Sequence, residues 1–458
     1  MKKNNNFISR RHFLRTASLA AGAMAFVGCD SDKNKTEQTP DSAKPQGKMT
    51  MRTNTSTGDS VSILGFGCMR LPRVDGPESE IDKAAVDELV DYAMAHGVNY
   101  YDSSPVYCKG ESEQIMGESL SRYPRDSYFI ATKLSNFDPS TYPKEKSVEM
   151  FKKSLEYFKT DYLDYYLLHS IGGGGVETMR KRYIENGMLD YLKEQRAKGV
   201  IRNLGFSYHG DINAFNELLK MHDDGDVHWD FVQIQLNYIN WEHPAESNGI
   251  TARWLYEELE KRNISCVIME PLLGGRLANV PSNVHSKMKS RRPDASPASW
   301  AFRFAAQPGV LTVLSGMTYM EHLEDNTHTY SSLEPLSDDE TDFLMVCAKN
   351  IADADVVPCT ACAYCMPCPY GIDIPGIFAH YNKCLNEDRL PLDKRDPQYV
   401  KARKAYLIGY DRAVEKLRQA DRCISCGTCL SACPQSIDIP KQLKRINSYT
   451  EQLKQNKL

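Results

Sequence analysis

The chain has 458 residues, of which 41% are hydrophobic and 25% charged, ordinary proportions for a soluble globular protein. That length admits two to four domains, or one large α/β domain with a small one beside it. The formal net charge of −4 provides no basic surface and argues against a nucleic-acid partner. There are fourteen cysteines, eight of them in two tight clusters near the C-terminus, which points to metal rather than to scattered disulfides.

At the N-terminus, Ser9-Arg10-Arg11-His12-Phe13-Leu14-Arg15 places paired arginines ahead of Phe-Leu, and an apolar stretch runs from Ala17 to Val27. About a dozen residues are too few to span a bilayer comfortably, so residues 1–29 read as an export signal. The segment resembles a twin-arginine leader, a route for proteins already folded, and this suits a chain whose metal clusters must be inserted before export. The competing reading is a disordered basic start before a chance apolar run. Val27-Gly28-Cys29 resembles a lipoprotein cleavage box, with Phe26 where leucine is usual; acylation of Cys29 would attach the protein to the membrane. Residues 30–50 are polar and read as a flexible tether. The expected location is periplasmic or lipid-anchored.

From Val61 onward, apolar runs at 61–67, 98–101, 128–134, 162–169, 200–206, 230–237, 264–269 and 309–315 alternate with helical-period segments. Those segments include 80–96, 144–158, 177–198, 211–221, 250–262 and 296–306. Strand–helix alternation predicts a parallel sheet. Eight repeats within this span predict a closed (β/α)₈ barrel over residues 51–335, of class α/β. A doubly wound sheet is the alternative, but Leu64-Gly65-Phe66-Gly67-Cys68-Met69 has only two of the glycines that fold's fingerprint needs, and no helix directly behind them.

Chemistry in such a barrel gathers at the C-terminal ends of the strands. Asp102 ends the second apolar run, and Tyr107 follows it past the strand-breaking Pro105. Lys133 ends the third run and His169 the fourth. Any one of these alone is more simply an ion pair or a core histidine; four on one rim make a plausible proton-transfer site. A lysine beside a tyrosine would favour the phenolate and make the phenol a better acid. A neutral histidine could hydrogen-bond the same carbonyl oxygen.

With these four positions in order, Gly205-Phe206-Ser207, and the closing Val313-Leu314-Ser315-Gly316-Met317, the stretch from Val61 to Tyr330 resembles an aldo-keto reductase. The resemblance implies Tyr107 as acid–base residue, with Asp102, Lys133 and His169 in support. It also implies an NADP or NAD cofactor and a small-molecule carbonyl or alcohol substrate. Loops after strands seven and eight are the usual phosphate site of this barrel, which selects Gly274, Gly275, Ser315, Gly316 and Met317. The resemblance adds nicotinamide contacts from Ser207 and Gln233, and adenosine contacts from Asn326 and Asp325. His322 stands where an arginine commonly grips the 2′-phosphate, so the choice between NADPH and NADH stays open. Trp241-Glu242-His243 and residues 171–175 are expected near the substrate entrance, the latter as a lid or as a slack connector.

Residues 336–458 are expected to form a small helical iron–sulfur domain. Cys423, Cys426, Cys429 and Cys433 make C-x₂-C-x₂-C-x₃-C-P, the bacterial ferredoxin run. Cys359, Cys362, Cys365 and Cys368 repeat it with a shortened last gap. Zinc is the competing metal, though its cysteine pairs are usually separated by longer spacers. Two 4Fe-4S clusters are expected, one on Cys359, Cys362, Cys365 and Cys433, the other on Cys423, Cys426, Cys429 and Cys368; the shortened gap leaves the assignment of Cys365 and Cys368 open, and Cys384 is a spare thiol nearby. Both runs continue alike, through Ile372-Asp373-Ile374-Pro375 and Ile437-Asp438-Ile439-Pro440, as two half-sites around a pseudo-twofold would.

The expected function is an exported NAD(P)-dependent oxidoreductase that reduces an aldehyde or ketone or oxidises an alcohol, with clusters for electron transfer or structure. Nicotinamide moves two electrons and clusters one, and no flavin motif bridges them, so either the clusters are structural or a redox partner protein completes the circuit. The alternative is a partner-dependent electron-transfer subunit that uses the barrel as a docking body.

Overall fold

The computed structural model describes residues 48–75, 79–244, 249–353, 355–391 and 393–458. The expected leader, Cys29 and nearly all of the tether lie outside them. Among the described residues no helix is long and apolar enough to cross a membrane.

Tyr165-Tyr166-Leu167-Leu168 is an unbroken apolar run, and such a run is stable as a strand only when both faces are covered. The fold supplies that cover. After an antiparallel hairpin of β1 (Met51–Thr53) and β2 (Ser60–Ser62) come eight parallel strands. They are β3 (Leu64–Gly67), β4 (Tyr100–Asp102), β5 (Phe129–Leu134), β6 (Leu163–Ile171), β7 (Ile201–Tyr208), β8 (Phe231–Gln235), β9 (Ser265–Met269) and β10 (Val310–Ser315). They close as a barrel in the order β10-β3-β4-β5-β6-β7-β8-β9. The class is the α/β barrel expected from the alternation. The run at 61–67, expected as one strand, is divided. Ser62 donates from Oγ to the Leu64 carbonyl at 2.7 Å and exchanges hydrogen bonds with Asn99, so the hairpin ends there and the barrel strand begins.

Inside the barrel, Tyr100 and Phe231 pack edge-on against Tyr165 with ring centroids 5.0 and 5.1 Å away. Buried Asn54, from the hairpin, donates to Tyr165 Oη at 3.2 Å and to Asn203 Oδ1 at 2.9 Å. The hairpin thereby plugs the N-terminal end of the barrel and leaves the C-terminal end for a site. Helices begin where the sequence offers a cap: Asp82, Asp211 and Ser296 accept hydrogen bonds from Ala85, Asn213 and Ser299 amides. The helix Lys83–Ala95 then buries Val86, Leu89, Val90 and Ala93, one face at i, i+3, i+4 and i+7.

The helix Asp338–Ala352 starts in a capping box of Ser337 and Glu340 and adds Leu344, Cys347, Ala348 and Ile351 to the core of the barrel. A separate core starts at Val357 and includes Ile372, Ile374, Ile377, Phe378, Ile437, Ile439 and Ile446. The repeated Ile-Asp-Ile-Pro has a structural cause. Asp373 and Asp438 each cap a helix, Ile374–Asn386 and Ile439–Lys454, accepting from the Gly376 and Lys441 amides. The proline sits in the first turn, where it lacks nothing the helix needs.

Candidate active site

Strand ends deliver the catalytic candidates. Asp102 closes β4, Lys133 lies one residue from the end of β5, and His169 lies near the end of β6. Tyr107 opens a short turn whose next two residues, Cys108 and Lys109, have φ of 52° and 61°. Left-handed backbone at non-glycine residues costs about 1–2 kcal/mol each. The turn is held by Ser112 Oγ donating to the Cys68 carbonyl at 2.9 Å and by Cys108 Sγ, 3.5 Å from the Met69 carbonyl. Strain retained next to Tyr107 marks the place where geometry is imposed.

The four side chains come together. Lys133 Nζ donates to Asp102 Oδ1 at 2.5 Å and to the Ser103 carbonyl at 2.7 Å, with both charged side chains buried. Lys133 Nζ also lies 4.8 Å from the centroid of the Tyr107 ring. The Tyr107 and His169 rings stand edge to face at 6.0 Å. His169 Nδ1 is 2.6 Å from Ser135 Oγ, which leaves Nε2 for a ligand. Burial first, then the Lys133 charge, hold the imidazole well below its ordinary pKa, so it is neutral.

The tyrosine behaves otherwise than the sequence suggests. Lys133 was expected to acidify it. Instead burial holds the Tyr107 phenol well above its ordinary value, with Tyr364, Asp102, Cys68 and Glu270 adding to the rise. Asp102 sits on the ammonium at contact distance and cancels its field at the phenol.

Asp102, Tyr107 and His169 line a cavity of about 530 Å³, within the range of small-molecule sites; Lys133 lies behind its wall. Of the residues expected to hold a dinucleotide, Gln233, Gly274, Gly275, Ser315, Gly316, His322, Asp325 and Asn326 line it. Gln233 Nε2 also donates to Asp102 Oδ2 at 3.3 Å, and Asn326 Nδ2 to Ser315 Oγ at 3.0 Å. Ser207 and Met317 are not part of that wall: Ser207 Oγ accepts from the Ser170 amide at 2.9 Å, and Met317 is buried in the barrel core. Trp241 also points elsewhere, packing on Tyr256 and Phe304. The glycines at 172–175 are tied down, the Gly172 carbonyl accepting from the Asp211 amide at 3.2 Å and Val176 N donating to Asp211 Oδ2 at 3.0 Å.

Sequence reasoning missed several lining residues. His209 follows directly on β7 and could have been found by the strand-end rule that found the others. Glu270 likewise follows directly on β9, whereas Arg70 had no such signal. Nor did Cys362, Tyr364, Pro434 and Gln435, which come from the cysteine-bearing domain and complete the cavity wall.

The clustered cysteines lie near one another across the two runs. Cys359, Cys362 and Cys365 each feel the charge of Cys433, whereas Cys429 feels Cys423, Cys426 and Cys368. Left-handed turns at Ala361, Ala363 and Ser425 wrap the backbone around the thiols, and the Ala361 amide donates to Cys359 Sγ at 3.4 Å. Among the described residues no group is tight enough to hold a single metal ion; a four-iron cube is larger and takes its ligands from farther apart. The donor chemistry, four soft thiols per set with amides turned toward sulfur, fits iron–sulfur ligation. Cys384 belongs to neither set and is buried against Tyr399, Tyr406 and Leu453.

Residues 63–347 match the aldo/keto reductase family and residues 358–438 the 4Fe-4S dicluster domain. The chain is 28% identical over 298 residues to an uncharacterized oxidoreductase, YqkF, of Bacillus subtilis, covering 58% of this chain and 86% of that protein. It is 26% identical over 316 residues to L-galactose dehydrogenase of Arabidopsis thaliana, covering 64% and 92%. In structure, an aldo-keto reductase of Bacillus halodurans superposes with a TM-score of 0.52 at 22% identity, over 65% of this chain and 96% of that one, a likeness of fold. On the match across its barrel, the chain belongs to the aldo/keto reductase family of NAD(P)-dependent oxidoreductases, with a 4Fe-4S domain at its C-terminal end.

Proposed function

We propose that the protein reduces a small aldehyde or ketone, with Tyr107 delivering the proton. One observation carries the reading: a buried Lys133–Asp102 pair at 2.5 Å beneath the Tyr107 ring, with His169 beside it. A reduced nicotinamide bound in the cavity would supply hydride. The chain's own residues do the remainder. His169 Nε2 and Tyr107 Oη orient the carbonyl oxygen between two donors, and the phenol gives up its proton as charge develops there. The Lys133–Asp102 pair, with Gln233 on its second oxygen, fixes the floor on which Tyr107 rests. Gly275, Ser315 and Gly316 would offer backbone to the diphosphate, and Asp325 and Asn326 would hold the adenosine end. His322 offers one weak cation to a 2′-phosphate, and both NADPH and NADH are candidates.

Two 4Fe-4S clusters, on the sets given above, would supply single-electron transfer. A redox partner protein is proposed to meet the second set, where Cys426 is exposed and Ile424 and Leu430 are 60% and 44% exposed. We also propose twin-arginine export to the periplasm, with membrane attachment through an acylated Cys29 as the variant of that route; cell fractionation of the wild type and of Arg10→Lys/Arg11→Lys checks it. The deciding experiment for the reductase is loss of 340 nm absorbance from NADPH or NADH with a panel of aldehydes. Tyr107→Phe is expected to lose at least about 100-fold in kcat, the scale of a general acid, with dinucleotide binding retained. Unchanged kcat in that variant would instead support an electron-transfer subunit that uses the barrel for docking.

A further inference from the structure

We propose that Tyr364, carried on the loop that holds the first cysteine set, forms the wall of the substrate cavity facing the reacting carbonyl, so that the iron–sulfur domain sets which carbonyl compounds reach Tyr107. The inference rests on the reductase reading and adds a specificity-determining residue from a different domain.

The loop is built into the barrel's rim. Arg70 Nη2 donates to the Thr360 carbonyl. Gly274 has φ +66°, and a Cβ there would lie 2.0 Å from the same oxygen. Only glycine lets the barrel loop and the cysteine loop approach so closely. The domain is secured a second time by Gln435 Nε2 donating to Gln235 Oε1 at 3.2 Å, and a third by Asn386 Nδ2 donating to the Asn279 carbonyl at 2.6 Å. Ala361 and Ala363, with φ of 53° and 63°, kink the backbone on the way to Tyr364, so the ring's position follows from a constrained turn.

Tyr364 is a large aromatic left 37% exposed, and it lines the same cavity as Tyr107, His169 and Gln233. Much of the remaining wall is apolar, with Met69, Pro271, Leu272 and Leu314. A dinucleotide bound in a cavity of about 530 Å³ would leave little room at Tyr107, and a bulky side chain bordering that room would decide what fits. The ligand class is a small, largely apolar aldehyde or ketone.

The test uses the full holoprotein and two probes, propanal and 1-naphthaldehyde. Tyr364→Ala is expected to raise the ratio of kcat/KM for naphthaldehyde over propanal by about tenfold or more, the scale of a pocket gaining or losing a few carbons. Tyr364→Phe should keep the wild-type ratio. Iron content and the EPR spectrum of the reduced protein must match wild type in both variants, which shows that the cysteine domain is intact. Independently of turnover, NADPH is expected to slow hydrogen exchange in peptides spanning 315–326 and also 359–366. Protection of 315–326 alone, or a ratio unmoved in Tyr364→Ala, overturns the proposal and leaves the reductase standing. Absence of both protection and carbonyl reduction with either aldehyde overturns both.

Discussion

Asp102→Asn tests the floor of the site most directly. The side chain of Lys133 is fully buried, and among the described residues Asp102 is its only carboxylate at contact distance. Removing one partner of a buried pair leaves an uncompensated charge, at a typical cost of about 3–5 kcal/mol. Lys133 Nζ keeps the Ser103 carbonyl at 2.7 Å, which places the expected loss at the lower end, about 3 kcal/mol. Lys133→Met strands Asp102 instead, with Gln233 at 3.3 Å as its remaining donor, and the loss should be similar. The double variant removes both charges from a buried pair. It should be less destabilised than the sum of the singles by about 2 kcal/mol. Urea unfolding followed by tryptophan emission measures this cleanly, because Trp229, Trp241, Trp254 and Trp300 all lie in the barrel. A double variant that loses the full sum would refute the reasoning, since it would mean that the two charges do not interact in the folded state.

Gly274→Ala should displace the cysteine loop, because its Cβ meets the Thr360 carbonyl and the site requires positive φ; reduced iron content and faster proteolysis between 352 and 358 are the expected readings. Two buried groups should give opposite pH slopes of stability. Glu113, hydrogen-bonded by Thr132, is raised by burial from an ordinary 4.5 to about 7, so its contribution, about 3 kcal/mol, is complete below 4.5 and lost as pH rises through 7. His209 is lowered by burial from 6.5 to about 4; its contribution, also about 3 kcal/mol, is complete above 6.5 and lost as pH falls through 4. Urea midpoints between pH 5 and 7 should therefore rise more steeply with pH in Glu113→Gln than in wild type, and less steeply in His209→Gln.

The barrel was legible because parallel strands covered on both faces leave long apolar runs, and helices between them announce their starts with Asp or Ser caps. The rim was legible for the same reason: a polar residue at the end of an apolar run, such as Asp102, Lys133 or His169, has nowhere to sit but a strand's C-terminal end. The iron–sulfur domain was legible because cluster ligation fixes the spacing of cysteines along the chain, and residues 358–438 match a 4Fe-4S dicluster domain. What could not be read was contact across long separations. Nothing in Leu273-Gly274-Gly275 says that a carbonyl 86 residues later, at Thr360, occupies the space a side chain would need. Nothing in Cys362-Ala363-Tyr364 says that it borders a cavity whose chemistry is written 257 residues earlier, at Tyr107. The electrostatic error had a related origin. Sequence places Lys133 near Tyr107 and Asp102 near both, but which pair touches depends on side-chain distances.

That correction bears on the direction of the reaction. The ammonium is paired, and His169 and His209 are held neutral, so the floor beneath the carbonyl carries no net charge near pH 7. An oxyanion forming there is met by the phenol and imidazole dipoles. The burial that holds the phenol above its ordinary value disfavours an alkoxide at the same place as well, and a phenol is intrinsically the stronger acid of the two. Proton transfer to the reduced carbonyl is downhill and needs no activated tyrosine. Alcohol oxidation runs the same step backwards and needs the phenolate, which burial disfavours. Carbonyl reduction should therefore be nearly independent of pH between 6 and 8. Alcohol oxidation should climb by about tenfold per pH unit across that range, because the ionised fraction of a group well below its pKa rises by that factor. Initial rates in both directions at saturating dinucleotide decide it: an oxidation rate that levels off below pH 8 would mean that the phenol ionises near neutrality, and that Lys133 acidifies it despite Asp102.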